Sequence, residues 1–350
     1  MFCLKIMRKE VKTMSLLKKN TLFISSMAIL FGLLYWTGTL ADSPGGPTGL
    51  GHTPDLSDDD ESIVFTHYQD GQGSLYTVSS EGGEAERLTE PKNEKNDTRP
   101  VYSSDGKIAF LREWKGEVHQ HQQLMLWEDG KTTPLLDEEE YISDMDFSPD
   151  GTQLYLLKNE EYKDIYDDGR TQPSEFDVYK LTIESGEMEE VTNLNSVSIN
   201  SLQVISEEEL LYKLDYEKHA IERLHLATGE TTAMWPESPS YSKAQEPVVG
   251  APRLSPDGNT VAFSDVASTN DSGTYEYEIF TMDPEGDHIN QMTKSSVQAG
   301  HPLFFRSSDQ IMYTIDRNFA GREPQREYWT VDTDGTDRRQ LNITIPSSEQ

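Results

Sequence analysis

Ser148-Pro149-Asp150-Gly151-Thr152-Gln153-Leu154-Tyr155-Leu156-Leu157 decides the fold, because a turn followed by a short apolar strand returns along the chain. Ser255-Pro256-Asp257-Gly258 precedes Val261-Ala262-Phe263, and Ser103-Ser104-Asp105-Gly106 precedes Ile108-Ala109-Phe110. Three looser copies align: Ser57 to Asp60 before Ile63-Val64-Phe65, Ser206-Glu207-Glu208 before Leu210-Leu211-Tyr212, and Ser307-Ser308-Asp309 before Ile311-Met312-Tyr313. Taking Asp59, Asp105, Asp150, Glu208, Asp257 and Asp309 as markers, the intervals are 46, 45, 58, 49 and 52 residues. A four-stranded propeller blade needs roughly 40–50 residues, so the excess belongs to loops.

The second half of each unit is as regular. Leu75-Tyr76-Thr77-Val78 leads to Glu81-Gly82-Gly83 and then Arg87-Leu88-Thr89. Ile279 to Met282 leads to Glu285-Gly286, and Tyr328 to Val331 leads to Asp334-Gly335. Glycine between alternating apolar runs marks a hairpin, since it accepts the positive φ that tight turns need. Each unit therefore reads strand, Ser-Pro-Asp-Gly turn, strand, loop, strand, glycine hairpin, strand. The predicted fold is all-β: a six-bladed β-propeller of four-stranded antiparallel blades over residues 54–345, followed by a tail, 346–350. Two ways of closing the ring stay open. Either Leu56 and its neighbours form the first inner strand, or Asn342 to Ile345 pairs into the first blade.

These turns and hairpins resemble the WD40-like repeats of TolB-type propellers, and the resemblance spans residues 54–345. It implies the fold. It leaves the task open, because such propellers serve as binding proteins and as accessory domains of peptidases. Where TolB carries a small α/β domain ahead of its propeller, this chain has a linker and an apolar segment.

Residues 21–40 form that segment, preceded by Lys5, Arg8, Lys9, Lys12, Lys18 and Lys19 against one acid, Glu10. Twenty helical residues cross a bilayer core of about 30 Å, and the basic flank stays in the cytoplasm. The expected layout is a basic tail at 1–20, a transmembrane signal-anchor at 21–41 and a Pro/Gly linker at 42–53, with the propeller outside the cell. A signal peptide cut after Ala41 is the other reading, which would release the propeller. Met14 offers a second possible start. The sole cysteine, Cys3, lies in the tail, so the exported domain depends on its core rather than on disulfides.

The chain has 30 Lys and Arg against 62 Asp and Glu, net −32. Residues 1–41 hold six bases and one acid, leaving 24 bases against 61 acids, −37, on the remainder. That sign argues against docking on anionic lipid, and no nucleic acid is expected as a partner of the propeller.

Strand alternation sorts the loops by rim. The Ser-Pro-Asp-Gly turns share one rim with the hairpins; the variable connections share the other. Function gathers on variable loops held by a rigid scaffold. The variable rim offers Trp114, His119, His121, Tyr162, Tyr166, Arg170, Tyr275, Tyr277, Phe319 and Arg322, of the aromatic and Arg types that dominate binding hot spots. No metal or cofactor is expected. His119-Gln120-His121 supplies two ligands where zinc takes four. Asp332 to Asp337 resembles the start of a calcium loop, but Ile343 stands where the bidentate Glu belongs, so a hairpin is the better reading. The acidic run Asp58 to Glu61 reads as a solvated turn. No Gly-x-Ser-x-Gly elbow occurs. The expected function is a monomeric, non-catalytic binding or scaffolding module for a protein or cell-wall polymer. The alternative is a carbohydrate-active hydrolase or lyase, for which three or more carboxylates or His should converge at the channel mouth.

Overall fold

The apolar triplet after each turn becomes a strand buried on both faces, which is why it reads as a continuous run rather than an alternation. Phe65, Phe110 and Phe263 occupy the same place in three units and are fully buried; Tyr212 and Tyr313 take that place in two others. Each such side chain contributes about 2–3 kcal/mol by leaving water. The computed structural model describes residues 46–116, 120–136, 141–164, 171–215, 219–319, 321 and 323–346. Pro47–Gln350 forms one compact unit. The apolar segment 21–40 and the basic tail lie outside the described residues. Among the described residues no helix is long and apolar enough to cross a membrane.

The third unit shows the plan: Ile142–Phe147, Gln153–Asp164, Thr171–Thr182 and Met188–Glu190 pair in that order, antiparallel throughout. The second and fourth units do the same. All-β architecture and antiparallel blades therefore hold, but six separate blades do not. Among the described residues the first four units each keep a separate sheet, while the last two units share one eight-stranded sheet. They are joined by a single parallel pairing, Tyr277 with Gln298, fixed by the Tyr277 N–H donating to the Val297 carbonyl at 2.8 Å. The blade-joining loop there is pulled close enough to extend the ladder.

Apolar side chains fill the gaps between consecutive units in six clusters. One joins Val64 and Leu75 of the first unit to Phe110 and Met125 of the second. Another unites the chain's two ends: Ile63, Phe65 and Tyr76 pack with Phe305, Met312, Tyr328 and Leu341. Both readings of ring closure are realised. Asp55–Leu56 pairs with Ser62–Gln69 as an inner strand, and Ile343–Thr344 pairs parallel with Gly83–Glu84. The stretch read as linker also contributes, since Gly49–Leu50 pairs with Tyr68 and His67.

The repeat turn is held by its own side chains. Ser148 Oγ donates to Asp150 Oδ1 at 2.7 Å, and the same carboxylate accepts the Thr152 N–H at 2.9 Å. Gln153 N–H donates back to Ser148 Oγ at 3.0 Å. The Thr152 N–H, Ser148 and Thr152 side chains hold the Asp150 carboxyl below its usual range. Asp105 and Asp257 sit in equivalent turns. Asp150→Ala is expected to cost about 1 kcal/mol in denaturant unfolding, with no effect of added calcium on the difference. A calcium-dependent loss would mean that the turn is a ligand loop instead.

The acidic run corrects one expectation. Asp60 is only 7% exposed, and φ 61 places it where the other turns carry Gly106, Gly151 and Gly258. It accepts the Arg306 N–H at 3.0 Å, with the Ser307 N–H and Ser307 Oγ each at 2.6 Å. The partners lie in the last unit, so this carboxylate is a ring clasp, not a solvated turn.

Candidate functional site at the channel mouth

The inner strands surround a channel with two cavities that share Asp55, Val101, Arg253 and Leu303 as a waist. A cavity of about 240 Å³ opens among the Ser-Pro-Asp-Gly turns, between Ser103, Ser148, Ser255 and Arg306. The other, about 280 Å³, opens at the strand starts and is lined by His52, Arg99, Asp144, Asn200, Ser201 and His301, among others.

This second mouth is built by irregular backbone. Register shifts interrupt the inner strands between Thr98 and Val101, Ile142 and Asp144, Asn200 and Gln203, Gly250 and Arg253, and Gly300 and Leu303. Arg99, Ser201, Ala251 and His301, which occupy four of these bulges, have φ between 47 and 60. All four line the mouth, as does Ser143 in the fifth bulge. A bulge re-aims a side chain, and a non-glycine residue in the left-handed region carries a cost that the surrounding structure must hold. Arg99, Ala251 and His301 each precede proline, which disfavours helical backbone at the residue before it. The strain recurs at equivalent positions, so it belongs to the mouth and not to one loop.

Side chains fasten the inner strands of the first five units in succession. Tyr102 N–H donates to Asp55 at 2.7 Å, Leu202 N–H to Asp144 at 2.9 Å, Val204 N–H to Asp146 at 2.7 Å and Leu254 N–H to Gln203 at 2.8 Å. Arg253 Nη1 donates to the Leu202 carbonyl at 2.7 Å, and Arg99 to that of Ser143.

The electrostatics of the channel are set by burial and by three arginines. Burial first, then His52 and the guanidinium groups of Arg253, Arg326 and Arg99, lowers His301 to about 3. His52 is drawn down to about 4 by burial, Arg326 and Arg99. The His52 side chain meets solvent at the mouth, and the His301 ring is the more enclosed of the two. The two rings meet edge-on, with centroids 5.2 Å apart. Burial raises Asp146 to about 7, opposed by Arg253 and the Val204 N–H. Burial also raises Asp55. At neutral pH the mouth offers neutral imidazoles beside permanent cations.

None of the described rim residues expected to bind lines either cavity. Trp114 stacks on His121 across its own hairpin at 5.5 Å, with the Lys95 ammonium 3.7 Å above the indole. Tyr277 meets Phe319 edge-on at 5.8 Å, bridging the fifth and sixth units. Phe319 and Tyr275 stay exposed, at 45% and 44%. Tyr162 lies in Gln153–Asp164 opposite Pro173. His119, Tyr166, Arg170 and Arg322 lie outside the described residues, and with His119 goes the two-histidine motif.

Sequence reasoning missed His52, Arg99, Ser201, Arg253 and His301. The available signal was positional: Arg253 stands two residues before its turn serine, and Arg99 and His301 stand before prolines on the same strand. Among the described residues, one grouping brings three metal-ligating side chains within 4.8 Å of one another: Glu160, Asp177 and Glu190, outside the channel lining. Asp177 already accepts from Thr192 Oγ1 at 2.8 Å and from the Leu194 and Asn195 N–H groups. The Asp332 stretch is a hairpin, with Asp334 accepting the Thr336 N–H at 2.9 Å.

A β-propeller with a lined central channel is the class that this geometry defines. Solved structures share the propeller fold. TolB from Acinetobacter baumannii superposes with a TM-score of 0.59 at 15% identity, over 84% of this chain and 65% of that protein. An oligogalacturonate lyase in complex with manganese gives 0.53 at 12% identity, over 85% and 78%. A prolyl endopeptidase gives 0.51 at 12%, over 90% and 54%. At such identities the likeness establishes a TolB-like propeller fold. The chain spans about two thirds of TolB and about half of the endopeptidase. No protein-family model and no curated relative matches the sequence.

Proposed function

We propose that the protein is a membrane-anchored, extracytoplasmic propeller that binds a protein or a cell-wall polymer at its bulged channel mouth, without catalysis. The observation that carries this reading is the crown of strained residues, Arg99, Ser201, Ala251 and His301, held at equivalent places around one opening. We further propose that the eight-stranded sheet works as two blades, so that six blades form the ring. The six inter-unit clusters and the one-residue contact between its halves support that count.

The test is capture of partners from envelope extracts by the full chain. Ala251→Trp fills the mouth and is expected to abolish capture; Ser104→Trp at the opposite opening leaves it intact. Equal capture by both variants would sink the reading.

The enzymatic alternative draws on the fold shared with oligogalacturonate lyase. It predicts that the full chain, given polygalacturonate, generates the ultraviolet absorbance of an unsaturated product. A rate that Arg253→Gln abolishes would decide for it.

A further inference from the structure

The occupant of the mouth is left open by the binding reading, yet the residues that line it are selective in type. The domain carries −37 overall. Even so, two guanidinium groups line this cavity, Arg99 and, at the waist shared with the opposite one, Arg253, while Arg326 lies outside the lining, with Nη1 donating to the Leu50 carbonyl at 3.3 Å. Ser201, Ser143, Asn200 and Thr53 add neutral donors.

A guanidinium has five N–H donors in a rigid fork and no acceptor. One donor of Arg99 goes to Ser143 and one of Arg253 to Leu202, which fixes each group and leaves donors for a ligand. The Arg326 guanidinium faces the Leu50 carbonyl and Asp316, 3.7 Å away, and lines neither cavity, so it contributes field rather than contacts.

The acids of the lining are occupied. Asp55 takes the Tyr102 N–H, and Asp144 takes those of Leu202 and Met145. Burial also favours the neutral form of Asp55. A cation entering the mouth would meet two guanidinium groups, and the His52 and His301 pair would have to bind it against them. An oxyanion meets a fork, hydroxyls and two imidazoles able to donate.

Resting on the binding reading above, we propose that the channel mouth is an oxyanion site, in which Arg99 and Arg253, with Ser201 and His301, receive a carboxylate or phosphate group of the ligand. Such a group pairs with guanidinium in bidentate fashion, which fixes orientation as well as charge. Strained bulges hold Arg99, Ser201 and His301 in place before the ligand arrives, and the Leu202 carbonyl holds Arg253, so little ordering is lost on binding.

The test is calorimetric titration of the full chain at constant ionic strength with inorganic phosphate, with citrate, with glucose and with calcium. Constant salt matters because exposed charges are screened within about 10 Å. Saturable heat is expected from phosphate or citrate and none from glucose or calcium; the stronger of the two anions identifies the class. Arg99→Gln and Arg253→Gln should each weaken that affinity at least about tenfold. Arg306→Gln, at the opposite mouth, should leave it unchanged. Thermal melting of each variant checks the fold, and Arg99→Lys, which keeps the charge but not the fork, should fall between wild type and Arg99→Gln. The proposal is overturned if neither anion saturates, if calcium binds in their place, or if Arg306→Gln weakens binding as much as the mouth variants. No anion binding together with loss of partner capture in Ala251→Trp would overturn the oxyanion site while the binding reading stands. Anion binding with undiminished capture would overturn the binding reading instead.

Discussion

Asp60→Ala is expected to cost the fold about 4 kcal/mol, more than any other single side chain in a repeat turn. The carboxylate accepts three hydrogen bonds from Arg306 and Ser307, and it is buried, so its removal takes away three charge-assisted bonds between the two ends of the chain at once. Alanine adds a second cost of about 1 kcal/mol, because the position holds φ 61. Asp60→Gly separates the two effects. It restores the residue type of the sister turns and should lose about 3 kcal/mol, the part owed to the clasp alone. The nearby ion pair of Asp58 with Arg306, at 3.0 Å, joins side chains that are 46% and 63% exposed. Arg306→Gln should therefore change stability by less than about 0.5 kcal/mol. Denaturant unfolding of the full chain measures all three. A loss below about 1 kcal/mol for both Asp60 variants would show that the apolar seam of Phe65, Phe305, Tyr328 and Leu341 closes the ring unaided.

That clasp also marks the boundary of what the sequence disclosed. Ser148 and Asp150 bond to atoms at most five residues away, so the turn was legible from local chemistry. Asp60 stands in the same motif, but its partners are 246 and 247 residues distant. Nothing local distinguishes it from a solvated acid. The blade plan was legible because burial on both faces writes an apolar run into each second strand. The sharing of one sheet by the last two units was not, since it depends on one backbone contact at Tyr277.

The site follows the same rule. Trp114, His121, Tyr277 and Phe319 were chosen by residue type, and type alone does not say what a ring touches. They touch each other. The mouth residues were hidden because a bulge shifts the register by one, and a one-residue slip turns a side chain to another face. Arg99-Pro100 and His301-Pro302 were visible as dipeptides; their left-handed backbone was not.

The second large effect is a stability profile with opposed slopes, set by Asp146 and His301. Burial raises the folded Asp146 to about 7 from 3.8. Between those values the unfolded carboxyl has lost its proton while the folded one keeps it. Stability from this group is therefore lost as pH rises from about 4 to about 7, and the loss is complete above that. Full conversion of the shift gives an upper bound near 4 kcal/mol, and water in the channel reduces it to about 2. Asp146→Asn should accordingly gain about 2 kcal/mol at pH 8 and nothing at pH 4, while its amide oxygen still accepts the Val204 N–H. His301 acts in the other direction. Its folded value of about 3 lies below the usual 6.5 of a free imidazole, so the unfolded ring takes a proton first as pH falls. Stability drops from about pH 6.5 downward, and His301→Gln should flatten that acid limb. In the wild type the two slopes offset each other between about pH 4 and pH 6.5, so stability is level there and falls on either side. Urea unfolding of the three full-length proteins from pH 4 to pH 8 separates the limbs. An Asp146→Asn protein no more stable than wild type at pH 8 would show that Arg253 holds this carboxylate ionised. The waist would then carry one more negative charge beside the oxyanion site, and anion affinity at the mouth would rise in that variant.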